Sequence, residues 1–121
     1  MRLIKSFGYA INGLRLCWKE PNFRIHVLVS AFVAALGYWL SISATEWVLV
    51  LLCMGLVLSL EMLNTAIEHL CNLVHAAQHP VIKVVKDVSA AAVMFGAIVS
   101  VCCGLIIFLP KLIFLIQNLD S

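Results

Sequence analysis

Trp47-Val-Leu-Val-Leu-Leu-Cys-Met-Gly-Leu-Val-Leu-Ser-Leu-Glu61-Met-Leu-Asn64-Thr65-Ala-Ile-Glu68-His-Leu-Cys-Asn72-Leu-Val74 is an apolar run that turns polar on one face without losing its helical period. Glu61, Asn64, Thr65, Glu68 and Asn72 recur at i, i+3, i+4, i+7 and i+11, so a helix stacks them in one stripe. Ionisable groups inside a membrane span are costly and mark a polar interior or a reaction site. At 1.5 Å per residue, Glu61 stands about 21 Å along the axis from Trp47 and Glu68 about 10 Å further. Glu61 is therefore expected near one hydrocarbon boundary and Glu68 close to water.

The composition places this helix in lipid. Of 121 residues, 64% are hydrophobic and 12% charged, against about 45–50% and about 25% in a soluble domain. So small a domain cannot hide that much apolar surface in its own core. The five cysteines, Cys17, Cys53, Cys71, Cys102 and Cys103, form no C-x-x-C pair and sit mostly in apolar runs, which argues against a disulfide framework. The basic, patterned segment before the first apolar stretch is not expected to be a cleavable signal peptide.

Two further spans flank the quoted one. Residues 25–45 and 88–110 carry no formal charge, and either stretch is long enough for a hydrocarbon core of about 30 Å. Pro110-Lys111 is expected to end or kink the last span, leaving 112–116 as an apolar fragment too short to cross. Before the first span, Leu3, Ile4, Phe7, Ile11, Leu14 and Trp18 recur at three- and four-residue intervals, with Arg2, Lys5, Tyr9 and Asn12 on another face. This is an amphipathic surface helix, whose simplest role is membrane anchoring. The expected architecture is one all-α domain over 1–121. It comprises a surface helix at about 2–19 and three transmembrane helices at about 25–42, 47–74 and 86–109.

Basic residues orient it. Arg2, Lys5, Arg15, Lys19 and Arg24 precede the first span, Lys83 and Lys86 lie between the second and third, and Lys111 alone falls on the other side. The N-terminus and the second loop are thus expected in the cytoplasm. Glu20 then comes to the level of Glu68. Two carboxylates there suit a hard divalent ion, which commonly takes one or two carboxylates plus substrate phosphates, and Lys86 can neutralise phosphate charge. A positioned carboxylate, a metal and cations are what phosphoryl transfer needs. The usual containers are missing: Gly8-x-x-x-x-Gly13 runs into Leu14-Arg15, so it is no P-loop, and no protein-kinase loop set occurs.

Glu61-Met-Leu-Asn64-Thr65-Ala66-Ile67-Glu68 resembles the signature E-x-x-N-[ST]-A-I-E, and Val85-Lys86-Asp87-Val88-Ser89-Ala90-Ala91-Ala92-Val93 resembles K-D-x-x-[AS]-[AG]-A-V. Both belong to the small bacterial integral-membrane lipid kinases that include diacylglycerol kinase and undecaprenol kinase. The resemblance covers nearly the whole chain. It implies a homotrimer with active sites shared between subunits, in the cytoplasmic (inner) membrane. It implies Glu61 as general base on the lipid hydroxyl, supported by Asn64, and Glu20 and Glu68 as ligands of Mg²⁺ or another divalent cation. Arg2, Lys5, Tyr9, His79, Lys86 and Asp87 match ATP-contacting positions, alongside Glu20 and Glu68. Arg15, Trp18, Phe23, Arg24 and Trp39 match positions near the lipid. No nucleic-acid partner is implied. Asn72 departs from an aspartate found in many members, and Ala90 from a serine of the diacylglycerol branch.

Two branches of substrate stay open, undecaprenol and diacylglycerol. Glu20-Pro-Asn-Phe-Arg-Ile-His26 and Ile106-Ile-Phe-Leu-Pro-Lys111 look more like the undecaprenol branch. Readings of another class are a small oligomeric proton-coupled transporter or channel subunit titrating at Glu61, and a structural adaptor that uses the stripe for assembly. Cys71, His75 and His79 could hold a soft metal, but Pro80 disturbs the helical geometry and no fourth ligand is apparent. His26 and His69 read as ordinary interhelical residues.

Overall fold

A computed structural model describes residues 1–75, 77 and 79–121. The described residues form four helices and no strand: α1 (Arg2–Cys17), α2 (Pro21–Trp39), α3 (Ala44–Val74) and α4 (Pro80–Leu119). Helix starts follow the local chemistry. Pro21 and Pro80 open α2 and α4, where the missing N–H costs nothing and the fixed φ is already helical. Ser43 and Glu46 open α3 with a reciprocal cap: Glu46 N–H donates to Ser43 Oγ at 3.2 Å and Ser43 N–H donates to Glu46 Oε1 at 2.9 Å.

The helix over the first charge-free stretch ends earlier than expected. Helix α2 stops at Trp39 instead of continuing to 42, because Ser41 takes a left-handed conformation with φ 53°. Ile42 N–H then bonds to Gly37 O at 3.1 Å and Ser41 N–H to Tyr38 O at 3.2 Å. This is the Schellman pattern, in which orphan carbonyls of the last turn are satisfied from beyond it. Gly37 makes the turn possible: a Cβ there would sit 3.0 Å from Ile42 and 3.2 Å from Trp47. Two helices among the described residues, Ala44–Val74 and Pro80–Leu119, are long and apolar enough to cross a membrane. Helix α2 carries Asn22, Arg24 and His26 in its first two turns, which shortens its apolar part.

Pro110 corrects the other boundary. Helix α4 continues through it to Leu119, so the fragment at 112–116 is its final turns and not a separate piece. A proline removes one backbone bond, a loss that packed neighbours offset in membrane helices.

Helices α3 and α4 run antiparallel and are tied at both ends. Lys111 Nζ pairs with Glu46 at 3.2 Å at one end, and Lys86 Nζ donates to Asn72 Oδ1 at 2.7 Å at the other. The ties are about 39 Å apart along α3 and about 38 Å along α4 at 1.5 Å per residue. Between them Gly96 lets α4 approach Leu60, whose Cδ1 would lie 2.8 Å from an added Cβ. Ile42, Val50, Ile107 and Phe108 form the buried core, with Trp47 and Leu36 packed on it. The core fills the Glu46 end of the bundle, and the polar stripe occupies the opposite end. Large apolar side chains such as Phe32, Leu52, Phe95 and Ile106 stay exposed, as a protein solvated by lipid requires.

Candidate active site

The polar stripe of α3 is not a solvated face. Glu61 is only 3% exposed, and Asn64 and Thr65 are buried with it. Buried polar groups are retained where they are hydrogen-bonded, and the partner comes from α4. Ser89 Oγ donates to Asn64 Oδ1 at 2.7 Å, and Asn64 Nδ2 donates to Glu68 Oε1 at 3.3 Å. The chain Ser89–Asn64–Glu68 crosses from one helix to the other and ends on a half-buried carboxylate.

Two histidines lie near the acidic side chains at this end of the bundle. His26 of α2 brings Nε2 to 3.9 Å from Glu61 Oε2, and His69 Nε2 lies 3.9 Å from Glu20 Oε1. Glu20, the residue that caps α2 in extended conformation, uses no side-chain bond to do so. Cys17, at the end of α1, reports the same cluster: burial, with the Glu20 and Glu61 carboxylates nearby, pushes its thiol above the ordinary range. That thiol is a packed, unreactive group. Glu20, Glu61 and Glu68 thus lie toward the same end of the bundle.

The two acids expected to hold metal fit that task by chemistry. Both are carboxylates, and Glu68 spends one oxygen on Asn64. Among the described residues no three His, Cys, Asp or Glu side chains converge on a common point. A hard divalent cation held by one or two carboxylates plus phosphate oxygens needs no such cage.

The N-terminal turns of α4 supply the cations. Lys86 reaches Asn72, while Lys83 forms an ion pair with Asp87 one turn on. Asp87, expected at the nucleotide, is thus held by a neighbour at i−4. His79 caps α4, its Nδ1 accepting from Val81 N–H at 3.1 Å. His75 Nδ1 sits 2.8 Å from Ala77 O, and the two imidazole rings lie 5.4 Å apart. The backbone thus engages one nitrogen of each ring.

The remaining expected residues lie on α1, on α2 and in the turn between them. Arg2, Lys5 and Tyr9 are exposed along α1, as are Arg15, Trp18, Arg24 and Trp39 on the outer surface, whereas Phe23 is buried beside Cys17 at the α1–α2 corner. Between α2, α3 and α4 runs an apolar cavity of about 360 Å³ lined by Val29, Val33, Val57 and Phe108, with His26 on its wall. The same histidine faces Glu61.

Three participants were missed by spacing alone. Ser89 was visible only as a small residue beside Lys86-Asp87, His26 as an interhelical histidine, and Asn72 as a departure with no partner assigned. A helical wheel of α4 carries a signal for the first: Ser89 lies three residues from Lys86, on the face that meets α3.

Residues 8–108 match the family model described as prokaryotic diacylglycerol kinase. The chain is 41% identical over 115 residues to undecaprenol kinase of Bacillus subtilis (strain 168), covering 92% of this chain and 91% of that protein. It is 34% identical over 101 residues to diacylglycerol kinase of Escherichia coli (strain K12), covering 83% of each. It is 33% identical over 98 residues to diacylglycerol kinase of Helicobacter pylori (strain ATCC 700392 / 26695), covering 80% of this chain and 77% of that one. With a buried carboxylate stripe, a cationic helix end beside it and this match over most of its length, the chain belongs to the prokaryotic diacylglycerol kinase family and is a lipid kinase, a phosphotransferase with an alcohol acceptor.

Proposed function

We propose that this chain phosphorylates undecaprenol, transferring the γ-phosphoryl group of MgATP to the lipid hydroxyl at the cytoplasmic face of a bacterial inner membrane. Diacylglycerol is the alternative acceptor. The observation that carries the reading is the burial of Glu61 at the meeting point of His26, Glu20 and Glu68, one helical turn from Asn64. The choice of undecaprenol is supported by the greater identity to the Bacillus kinase over more of the chain.

In this reading Glu61 accepts the hydroxyl proton as the lipid oxygen attacks the γ-phosphorus and the bond to the ADP oxygen breaks. Such positioned bases contribute about 10²–10⁴-fold. Asn64 steadies the neighbouring acid. Glu20 and Glu68 would hold a divalent cation, which would supply positive charge to neutralise the phosphates. Arg2, Lys5 and Tyr9 of α1, with His79, Lys86 and Asp87 of α4 and the turn before it, contact the nucleotide. Arg15, Trp18, Phe23, Arg24 and Trp39 lie near the lipid. Following the family resemblance, the reading includes a homotrimer of three-span subunits. Its amphipathic α1 lies on the membrane surface, and each site is completed by a neighbour.

The test is direct. Purified protein in lipid receives γ-labelled ATP, Mg²⁺ and either undecaprenol or diacylglycerol, and the lipids are extracted. Label is expected in undecaprenol in preference to diacylglycerol. Folded protein that labels neither lipid overturns the kinase reading, and a preference for diacylglycerol overturns the choice of acceptor.

A further inference from the structure

The Ser89–Asn64 bond joins residues 25 positions apart across two helices, and both partners are buried. An amide side chain is nearly symmetric in shape but not in chemistry: one end accepts and the other donates. The Glu68 carboxylate only accepts, so it turns the Asn64 NH₂ toward itself at 3.3 Å, and Ser89 donates to the Oδ1 that this leaves facing α4. The amide is thus held from both ends. Remove the hydroxyl, and Oδ1 is left buried without a donor, a state costly enough that the amide shifts toward another one. A shifted amide no longer presents its NH₂ to Glu68, and the carboxylate loses the contact that holds it in place.

We propose that Ser89 is a positioning residue for the metal–nucleotide half of the site, acting through Asn64 on Glu68. It touches neither substrate nor cation. Ser89 lies three residues after Lys86, so one face of α4 holds both the lysine that reaches Asn72 and the serine that sets Asn64. The two contacts fix the inner end of α3 against α4 at two levels. Ser89 thereby couples the position of a carboxylate to that of an ammonium group on the neighbouring helix. The inference rests on the reading of Glu68 as a metal ligand.

The experiment measures Mn²⁺ binding by electron paramagnetic resonance, with and without a non-hydrolysable ATP analogue, alongside the Mg²⁺ dependence of turnover. Wild type, Ser89→Ala, Ser89→Cys, Ser89→Thr and Glu68→Gln are compared as assembled protein. Loss of one buried hydrogen bond is expected to weaken Mn²⁺ binding about three- to tenfold in Ser89→Ala. The half-saturating Mg²⁺ should rise by the same factor, with turnover at saturating Mg²⁺ changed less than about twofold. Ser89→Thr, which keeps the hydroxyl, should restore binding. Should Ser89→Ala not fold, Ser89→Cys, close in volume with only a weak donor, decides in its place. Unchanged Mn²⁺ binding in a folded Ser89→Ala or Ser89→Cys overturns the proposal while Glu68→Gln still weakens binding. An equal loss in Ser89→Thr also overturns it, since packing would then be the cause. If Glu68→Gln leaves Mn²⁺ binding intact, the metal reading itself fails.

Discussion

Lys86 Nζ donates to Asn72 Oδ1 at 2.7 Å, so a neutral amide on α3 aims an ammonium group of α4. An aspartate at the same place would hold the lysine by charge and cancel part of its field. The amide leaves the full positive charge for a phosphate. Asn72→Asp is therefore expected to raise KM for ATP by about two- to fivefold, the scale of an exposed ion pair. The effect should shrink at high salt, where such pairs are screened. Initial rates over a range of ATP and NaCl concentrations measure it; an unchanged or lower KM at low salt contradicts it.

Glu61 is expected to tolerate loss of its charge structurally but not chemically. Glu61→Gln keeps the shape of a buried side chain and should lower turnover about 10²–10⁴-fold with the assembly intact by size-exclusion chromatography. Added Mg²⁺ should not restore it. Full rescue by Mg²⁺ would move Glu61 from proton acceptor to metal ligand.

Glu68→Gln should behave in the opposite manner. Its principal effect is expected on the Mg²⁺ and MgATP concentrations needed for half-maximal rate, since a carboxylate ligand is exchanged for a weaker carbonyl. Measuring both parameters across Mg²⁺ concentrations separates it from Glu61→Gln.

Ser41 holds a left-handed backbone that a residue with a Cβ adopts at a cost of about 1–2 kcal/mol. Ser41→Gly should therefore raise the stability of the detergent-solubilised protein by about 1 kcal/mol, less the greater entropy glycine loses on folding. At the same corner Gly37→Val should lower it by about 1–3 kcal/mol, because Ile42 and Trp47 already touch the position a Cβ would fill. Thermal unfolding of the two variants side by side tests both signs.

The stripe of α3 was legible because a helix repeats: five polar residues fall on one face of an apolar segment, and the structure buries three of them, Glu61, Asn64 and Thr65. The lower limit of α2 was not. The charge-free stretch runs through 45 and the helix was expected to 42, and nothing in hydropathy distinguishes Ser41 as the residue that turns left-handed. Its signal was Gly37, four residues earlier, which leaves room for the chain to fold back. Pro110 misled for the converse reason, since local propensity argues for a break and packing along α4 overrides it. Spacing within one helix cannot reveal the contacts of Ser89 with Asn64 or of His26 with Glu61, because their partners are far apart in sequence. The ion pair of Lys83 with Asp87, an i, i+4 arrangement, was not anticipated although spacing within one helix carries its signal.

The two ties between α3 and α4 also act as a gauge. Between the Glu46–Lys111 pair and the Asn72–Lys86 bond lies about 38 Å of helix, more than a hydrocarbon core of about 30 Å and less than the 40–45 Å that includes the headgroups. Both polar ties thus match the headgroup levels of a bilayer of ordinary thickness. Under the function proposed above, a much thicker bilayer would draw the acidic end of α3 below the water boundary, away from a soluble phosphate donor. A much thinner one would tilt the helices and change the depth at which the lipid hydroxyl meets Glu61. Acyl-chain length of the host membrane would then be a substrate-positioning variable for the proposed reaction.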